Sequence, residues 1–473
     1  MKKQAFNPYL PSWEYIPDGE PHVFDGRVYV YGSHDRFDGS TFCMNDYVCW
    51  SAPTDDLSDW KYEGVIWKKT DDPNCKKGKY MYAPDVCRAP DGKYYLYYAF
   101  SPSVTRKSWA IRAAVSDSPA GPFRYHGEVD LYPWSKKFLP FDPAVYVEDG
   151  RVWLYYGSAM FFPVLGASKR KIEGGAVVEL DPFDMLTVIA PPKLTVTCDK
   201  NSEYGEHAFF EASGMRKIGG RYYFVYSSLL GHELCYAIGD SPVGPFEKGG
   251  TVVSNGDVGL GEHKDAKSAS NYTGNTHGNI VEIDGKHYVF YHRQTNRHCF
   301  SRQACAERIE IEADGSIKQV ETTSCGLNDA PLVGEGEYEA RIACNLTSKR
   351  GGRFHGVFFK KPKGVHPYFT QSGSDREDDP DQYIANFGDG ATAGFKYFDV
   401  CGLSEVGVKF KGKATGTVIV TNGDGTVAEI PISPSGVETV ARAPWRGADG
   451  VQALYFTFRG RGRIDLISIV LNK

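Results

Sequence analysis

One internal repeat constrains the fold of this 473-residue chain more than any other feature. Each of its five copies carries a polar head residue, a β-rich run, a glycine turn and an aromatic strand. The copies occupy residues 18–33, 85–98, 142–158, 211–227 and 277–292, headed by Asp18, Asp85, Asp142, Glu211 and His277. Their turn glycines, Gly26, Gly92, Gly150, Gly220 and Gly285, succeed one another at 66, 58, 70 and 65 residues. Asp-Gly and Gly-Gly pairs suit two-residue hairpins, because glycine tolerates φ > 0. A period of about 60 leaves room for two further strands per copy, which makes a four-stranded propeller blade. Five unrelated hairpins would not place a polar residue 7 to 9 positions ahead of every turn glycine.

The expected fold is therefore all-β: a five-bladed β-propeller over residues 1–325, followed by a β-sandwich over residues 338–473. The repeat stops after Cys325, and the Gly- and Glu-containing stretch behind it reads as a linker. Alternating runs at 406–410, 416–421 and 464–471 then predict antiparallel strands. Composition agrees, with 30 Tyr, 27 Phe, 8 Trp, 52 Gly and 27 Pro favouring short strands and tight turns. The balance of 54 basic against 59 acidic residues argues against nucleic acid as a partner. No run approaches the ~20 apolar residues of a bilayer span, so no membrane partner is expected. Lys2 and Lys3 have no apolar stretch behind them, and the eleven cysteines include no CxxC pair. Both features read as a cytoplasmic protein with buried free thiols.

In a propeller the innermost strands line a central channel and their starts open on one face. The five head residues should therefore ring one mouth of that channel. Gathering four carboxylates there is costly unless a cation or catalysis uses them. Glycoside hydrolysis does use such an arrangement, with one carboxyl protonated for the leaving oxygen and another ionised. Glu211 follows Ala208, Phe209 and Phe210, an apolar lead-in that favours the protonated form and makes it the general acid. Asp18, in a tight turn behind Pro17, is the expected ionised base. Trp50, Trp109, Phe161 and Phe162 follow inner strands, where loops can offer sugar rings a flat apolar face.

The head segments resemble glycoside hydrolase family 43, inverting five-bladed propeller enzymes that act on arabinose- and xylose-containing polysaccharides. The resemblance rests on Asp18, the Tyr-Ala-Pro-Asp-Val run at 82–86, Phe141-Asp142-Pro143, Phe210-Glu211 and Thr276-His277-Gly278. It implies that Asp18 is the base and Glu211 the acid. Asp142, ionised, would raise the acid's pKa and orient it. Asp85 would compete for that place or meet substrate, and Arg302 would hold a substrate hydroxyl. His277 would sit beside a channel cation, with calcium the implied ion there and in the sandwich, and no organic cofactor. The implied partners are arabinoxylan, arabinan or xylo-oligosaccharides, from which xylose or arabinose would be released as by a β-xylosidase or α-L-arabinofuranosidase. Residues 383–398 resemble family 6 carbohydrate-binding modules. Two other readings stand beside hydrolysis: a non-catalytic propeller lectin, and a glycoside phosphorylase, which needs a basic cluster for phosphate.

Overall fold

The computed structural model describes residues 3–75, 80–101, 109–159, 172–352, 364, 366–377, 381–423 and 425–473. Five antiparallel sheets follow one another along the chain. Their first strands are Glu20–Phe24, Tyr80–Arg88, Ala144–Glu148, Phe209–Ile218 and Ile280–Ile283, and each sheet grows outward in sequence order. Four of the sheets have four strands. The fifth has three among the described residues: Ile280–Ile283, Lys286–Thr295 and His298–Ile309. Its outer edge is covered by the N-terminal segment, where Asn7 donates to Ala306 O (2.8 Å) and Tyr9 N to Ala304 O (3.3 Å).

The repeat's turns form as their residues require. Asp25-Gly26, Asp149-Gly150, Asp284-Gly285 and Gly219-Gly220 have positive φ at both positions, the geometry whose twist matches a two-residue hairpin. The second repeat differs, with only Gly92 of its pair left-handed.

Each first strand touches the first strand of the next sheet, and the fifth touches the first, so the sheets close into a ring. Packing follows the same order. Five separate apolar cores each join two neighbouring blades. Tyr31, Trp67, Leu96 and Tyr98 join the first and second, and Tyr97, Val152, Leu154 and Val178 the second and third. Trp153, Phe209 and Phe224 link the third to the fourth, Val225, Val289 and Ile309 the fourth to the fifth, and Val28, Val30 and Phe290 the fifth to the first. Burying each such side chain contributes about 1.5–3 kcal/mol. The aromatic excess of the sequence is thus spent between blades.

Two six-stranded sheets make the sandwich. One contains Thr392–Asp399, Thr415–Thr421, Thr426–Ile432 and Val451–Arg461, and the other Gln382–Gly388, Glu405–Gly412, Ser435–Pro444 and Arg463–Asn472. Short strands Leu332–Val333 and Gly336–Glu339 already belong to these sheets, ahead of residue 338. The sandwich is packed on the propeller rather than tethered to it. Tyr272 of the propeller enters the sandwich core. The buried Lys396 of the sandwich meets Asp257 (3.1 Å) and Glu321 (2.8 Å).

Gly278, which bridges to Gly19 where the ring closes, is also tightly packed within the fifth blade. A Cβ on Gly278 would lie 1.9 Å from the carbonyl oxygen of Phe290. Gly278→Ala is expected to force these backbones apart at a cost of about 1–3 kcal/mol. The thermal midpoint at fixed scan rate should fall by several degrees, and an unchanged midpoint would contradict this account of the packing of Gly278 on Phe290.

Candidate active site

Backbone conformation aims the head residues. Asp18 (φ 57°), Asp142 (φ 45°) and Ala212 (φ 65°), next to Glu211, occupy the left-handed region, which is costly for an alanine and tolerable for an aspartate. The strand holding Glu211 also shifts register on either side of it, and such bulges re-aim a side chain. These distortions place Asp18, Asp142, Glu211 and His277 together at one mouth of the channel.

Asp18 is the best-anchored member. Its Oδ1 accepts from Arg302 Nη1 at 2.9 Å, and its backbone N–H donates to His292 Nδ1 at 3.2 Å. Burial alone would raise its pKa, but the Arg302 guanidinium, with His277, His292 and a Ser33 hydrogen bond, holds the carboxyl below the usual aspartate range. Arg302 is itself fixed by Asp35, whose Oδ2 accepts from its Nε (2.9 Å) and backbone N (3.1 Å) and whose Oδ1 accepts from Nη2 (3.1 Å). Phe42 covers the guanidinium, 4.8 Å from ring centre to Cζ. Arg302 was expected to hold a sugar hydroxyl. The structure instead commits its N–H groups to Asp18 and Asp35, leaving it 2% exposed.

Glu211 stands in the opposite state. Burial, and then the charge of Asp18, push its pKa up to about 8, opposed by a 3.3 Å hydrogen bond from the Ser158 hydroxyl. It remains partly open to the cleft. Asp142 departs from expectation. Burial, Glu211 and Asp18 together raise it well above the aspartate range, against a 3.1 Å hydrogen bond from Ala212 N–H. Asp142 is therefore not a permanently ionised neighbour. The charge of Glu211 opposes its ionisation, so the two carboxyls do not titrate independently.

His277 is buried and neutral. Its pKa falls to about 4, through burial first, and its ring lies 3.5 Å from Asp142 Oδ2 and 3.8 Å from Glu20 Oε1. Asp85 is not at the mouth. It sits in the channel wall, with Oδ1 2.6 Å from His22 Nε2 and accepting from Val86 N (2.8 Å), and Oδ2 accepting from Val145 N (2.7 Å). With its oxygens so occupied, it has little capacity left for a sugar hydroxyl. Trp50 is blade core, donating to buried Glu14 at 2.7 Å. Trp109 is half-buried and packs against Phe141 (4.9 Å) and Tyr82 (5.4 Å from Phe141), beside Asp142. That cluster can serve as an apolar sugar platform. Phe161 and Phe162 lie outside the described residues.

Sequence reasoning missed Asp35, His292, Ser158 and Glu20. A signal existed for two of them. Ser158 ends a repeat, where the strand's terminal Tyr-Gly-Ser meets the next blade's carboxylate. His292 replaces that small-residue ending in the fifth copy. Glu20 and Asp35 carry no such mark.

A five-bladed propeller whose channel mouth pairs an ionised carboxylate with a protonated one defines a glycoside hydrolase. The chain belongs to glycosyl hydrolases family 43, whose model matches residues 17–317. A protein of Thermoclostridium stercorarium named "Xylosidase/arabinosidase" is 48% identical over 483 aligned residues, covering 100% of this chain and 99% of that protein. A solved β-xylosidase/α-arabinofuranosidase from a compost microbial metagenome, bound to xylotriose in a calcium-free form, is 28% identical, with TM-score 0.51 over 65% of this chain and 94% of that one. An arabinoxylan arabinofuranohydrolase of Bacillus subtilis is 20% identical, with TM-score 0.51 over 98% of this chain and 96% of that one, a likeness of fold across both domains.

The titration states predict a bell-shaped pH profile of kcat/KM. Asp18 must be ionised, so activity rises as pH climbs through its depressed pKa. Glu211 must be protonated, so activity is lost as pH climbs past about 8. Asp142→Asn removes the partner whose charge opposes the last deprotonation of the pair, and the alkaline limb should move to lower pH. Asp85→Asn, in the channel wall, should leave that limb in place. A pH–rate series on both variants checks the assignment; a shift in Asp85→Asn alone would reverse it.

Proposed function

We propose that the chain is an inverting exo-glycosidase that releases xylose or arabinose from plant-cell-wall oligosaccharides. One arrangement carries the mechanism: at one channel mouth Asp18 accepts from the Arg302 guanidinium at 2.9 Å, which favours its ionised form. Glu211 has, among the described residues, only the Ser158 hydroxyl at 3.3 Å, and burial and the charge of Asp18 favour its protonated form. The sugar class is supported by the 48% identity to a xylosidase/arabinosidase across the full chain.

In this mechanism Asp18 takes a proton from a water on one face of the sugar, and the water oxygen bonds to the anomeric carbon. Glu211 gives its proton to the departing glycosidic oxygen on the other face as that bond breaks. The anomeric configuration inverts. Asp142 helps keep the proton on Glu211 until it is needed, and His277, neutral between Asp142 and Glu20, adds no charge to the pair. The Trp109 cluster supplies the apolar face for the sugar ring.

A channel cation fits the residues present. Glu20 Oε1 is buried with no hydrogen-bond partner and lies 3.8 Å from His277 Nε2, so an oxygen and a nitrogen donor face the same space. Calcium, which prefers oxygen ligands, would be held by Glu20 and His277 and would supply positive charge beneath the carboxylates. Burial, and then the charge of Asp85, raise Glu20 to about 8. A phosphorylase is disfavoured because Arg302, the cation beside Asp18, is already committed to two carboxylates.

Glu211→Gln is expected to lower kcat about 10²–10⁴-fold on xylo-oligosaccharides, with much smaller losses on dinitrophenyl glycosides, whose leaving groups need little protonation. Equal losses on both would remove Glu211 from the acid role. Proton NMR of the first-formed anomer from a β-xyloside should show α-xylose, and a β product would mean retention. Calcium added after chelation should raise the thermal midpoint of the wild type but not of Glu20→Gln.

A further inference from the structure

The sandwich reaches the catalytic end of the propeller through the segment between its strands Tyr368–Gln371 and Gln382–Gly388. Asp375 on this segment accepts from Phe37 N–H at 2.6 Å and from Asn45 Nδ2 at 2.9 Å. Asn45 in turn donates to the Asp35 carbonyl at 3.0 Å. Arg376 places Nη1 2.7 and 2.8 Å from the two oxygens of Glu14, with its guanidinium about 5 Å from the ring centres of Trp13 (5.0 Å) and Tyr62 (5.2 Å). Glu14 is 2% exposed and also bonds His34 Nε2 at 2.9 Å. Asp375 thus grips the connection between Arg27–Tyr31 and Tyr47–Pro53 directly, and Arg376 meets it at His34, whose Nε2 lies 3.0 Å from Nη1 and which Glu14 also holds.

That connection carries Asp35, which is fully buried and holds Arg302 by three hydrogen bonds. Arg302 holds Asp18. We infer that the sandwich is a working part of the active site: Asp375 and Arg376 are positioning residues that clamp the Asp35 loop and so hold Arg302 against the catalytic base. The chain of contacts is Arg376 and Asp375 to the loop, Asp35 to Arg302, and Arg302 to Asp18. This inference rests on Asp18 being the base.

The geometry explains why a side chain from a different domain is needed. The connection has no strand partner of its own between Tyr31 and Tyr47, and although Asp35 at its start is buried, residues 36–42 are exposed or half-buried, the part of such a loop that is ordinarily mobile. Catalysis by a base requires its position to be held to fractions of an ångström, and a 1 Å misplacement costs about 100-fold. A buried Glu14 whose charge is met by Arg376 supplies a fixed point, because releasing the arginine would strand a carboxylate without its counter-charge. Trp13 and Tyr62 sandwich the guanidinium and restrict it further.

The test uses the full chain and an aryl β-xyloside. Arg376→Ala and Asp375→Ala should lower kcat about 10–100-fold with KM changed less than threefold, while Arg376→Lys recovers part of the loss. Each is then combined with Asp18→Asn. Because the clamp acts through the base, the double variants should be no slower than Asp18→Asn alone. Losses that multiply, or a lowered thermal midpoint with kcat unchanged, would overturn the inference. If Arg376→Ala does not fold, as judged by near-ultraviolet circular dichroism, Asp375→Asn, which keeps one acceptor oxygen, decides it: kcat should again fall, and a wild-type kcat would overturn the inference. Asp18→Asn by itself separates the two readings. A wild-type rate there would remove the base assignment, whereas a collapsed rate with Arg376→Ala and Asp375→Ala at full kcat would remove only the clamp.

Discussion

Closing five sheets into a ring is the constraint on which everything else in this protein depends. It brings residues separated by some 260 positions, Gly19 and Gly278, into one backbone bridge. The same closure packs five strand starts around a narrow channel, so each blade's first polar side chain lands in a shared, poorly solvated space. Charges gathered there interact far more strongly than in water. The site is therefore an electrostatic problem before it is a catalytic one.

The protein solves it by distributing protons and by placing arginines against the carboxylates, Arg302 at the mouth and Arg216 on Glu20. Arg302 lies between Asp18 and Asp35, so three buried charges carry a net of minus one and each is hydrogen-bonded. Asp142 and Glu211 are both held toward their protonated forms by burial. His277 and His292 stay neutral, with His292 fixed by donating Nε2–H to Asn275 O (2.9 Å) and accepting the Asp18 N–H at Nδ1. Removing one partner from such a buried network costs about 3–5 kcal/mol, more than the network gains by forming, so its members depend on one another. The same imbalance sets the two carboxyls apart. Asp18 has the arginine, and Glu211 has burial and a negative neighbour.

The sandwich enters this arrangement as structure and not as an appendage. Lys396 is buried between Asp257 and Glu321 of the propeller, and Arg293 of the propeller donates to Ala343 O (3.0 Å) beneath the ring of Phe369 (4.1 Å from Cζ). Such contacts hold the segment carrying Asp375 and Arg376 in register with the loop it meets. A module joined only by a flexible linker could not hold a catalytic loop in place.

The sequence by itself determined the blade count, the all-β class, the turn positions and the three carboxyls, because each is written into a period that any five-fold ring must obey. It also marked Glu211 as a carboxyl that burial pushes toward its protonated form, since the aromatic residues ahead of it are neighbours in the chain. What only the tertiary structure decided are the relations between blades. Asp85 has the same repeat position as Asp18 and Asp142, yet a bulge between Tyr82 and Asp85 and the partner His22 turn it into the channel wall. Arg302 lies 284 residues from Asp18, and no local pattern marks it as the partner of Asp18 and not of a sugar. Asp35 and Arg376 sit in irregular connections with no periodicity to read. The upward shifts of Asp142 and Glu211 depend on two blades meeting side by side, and the interaction of charges across space is not encoded in their separation along the chain.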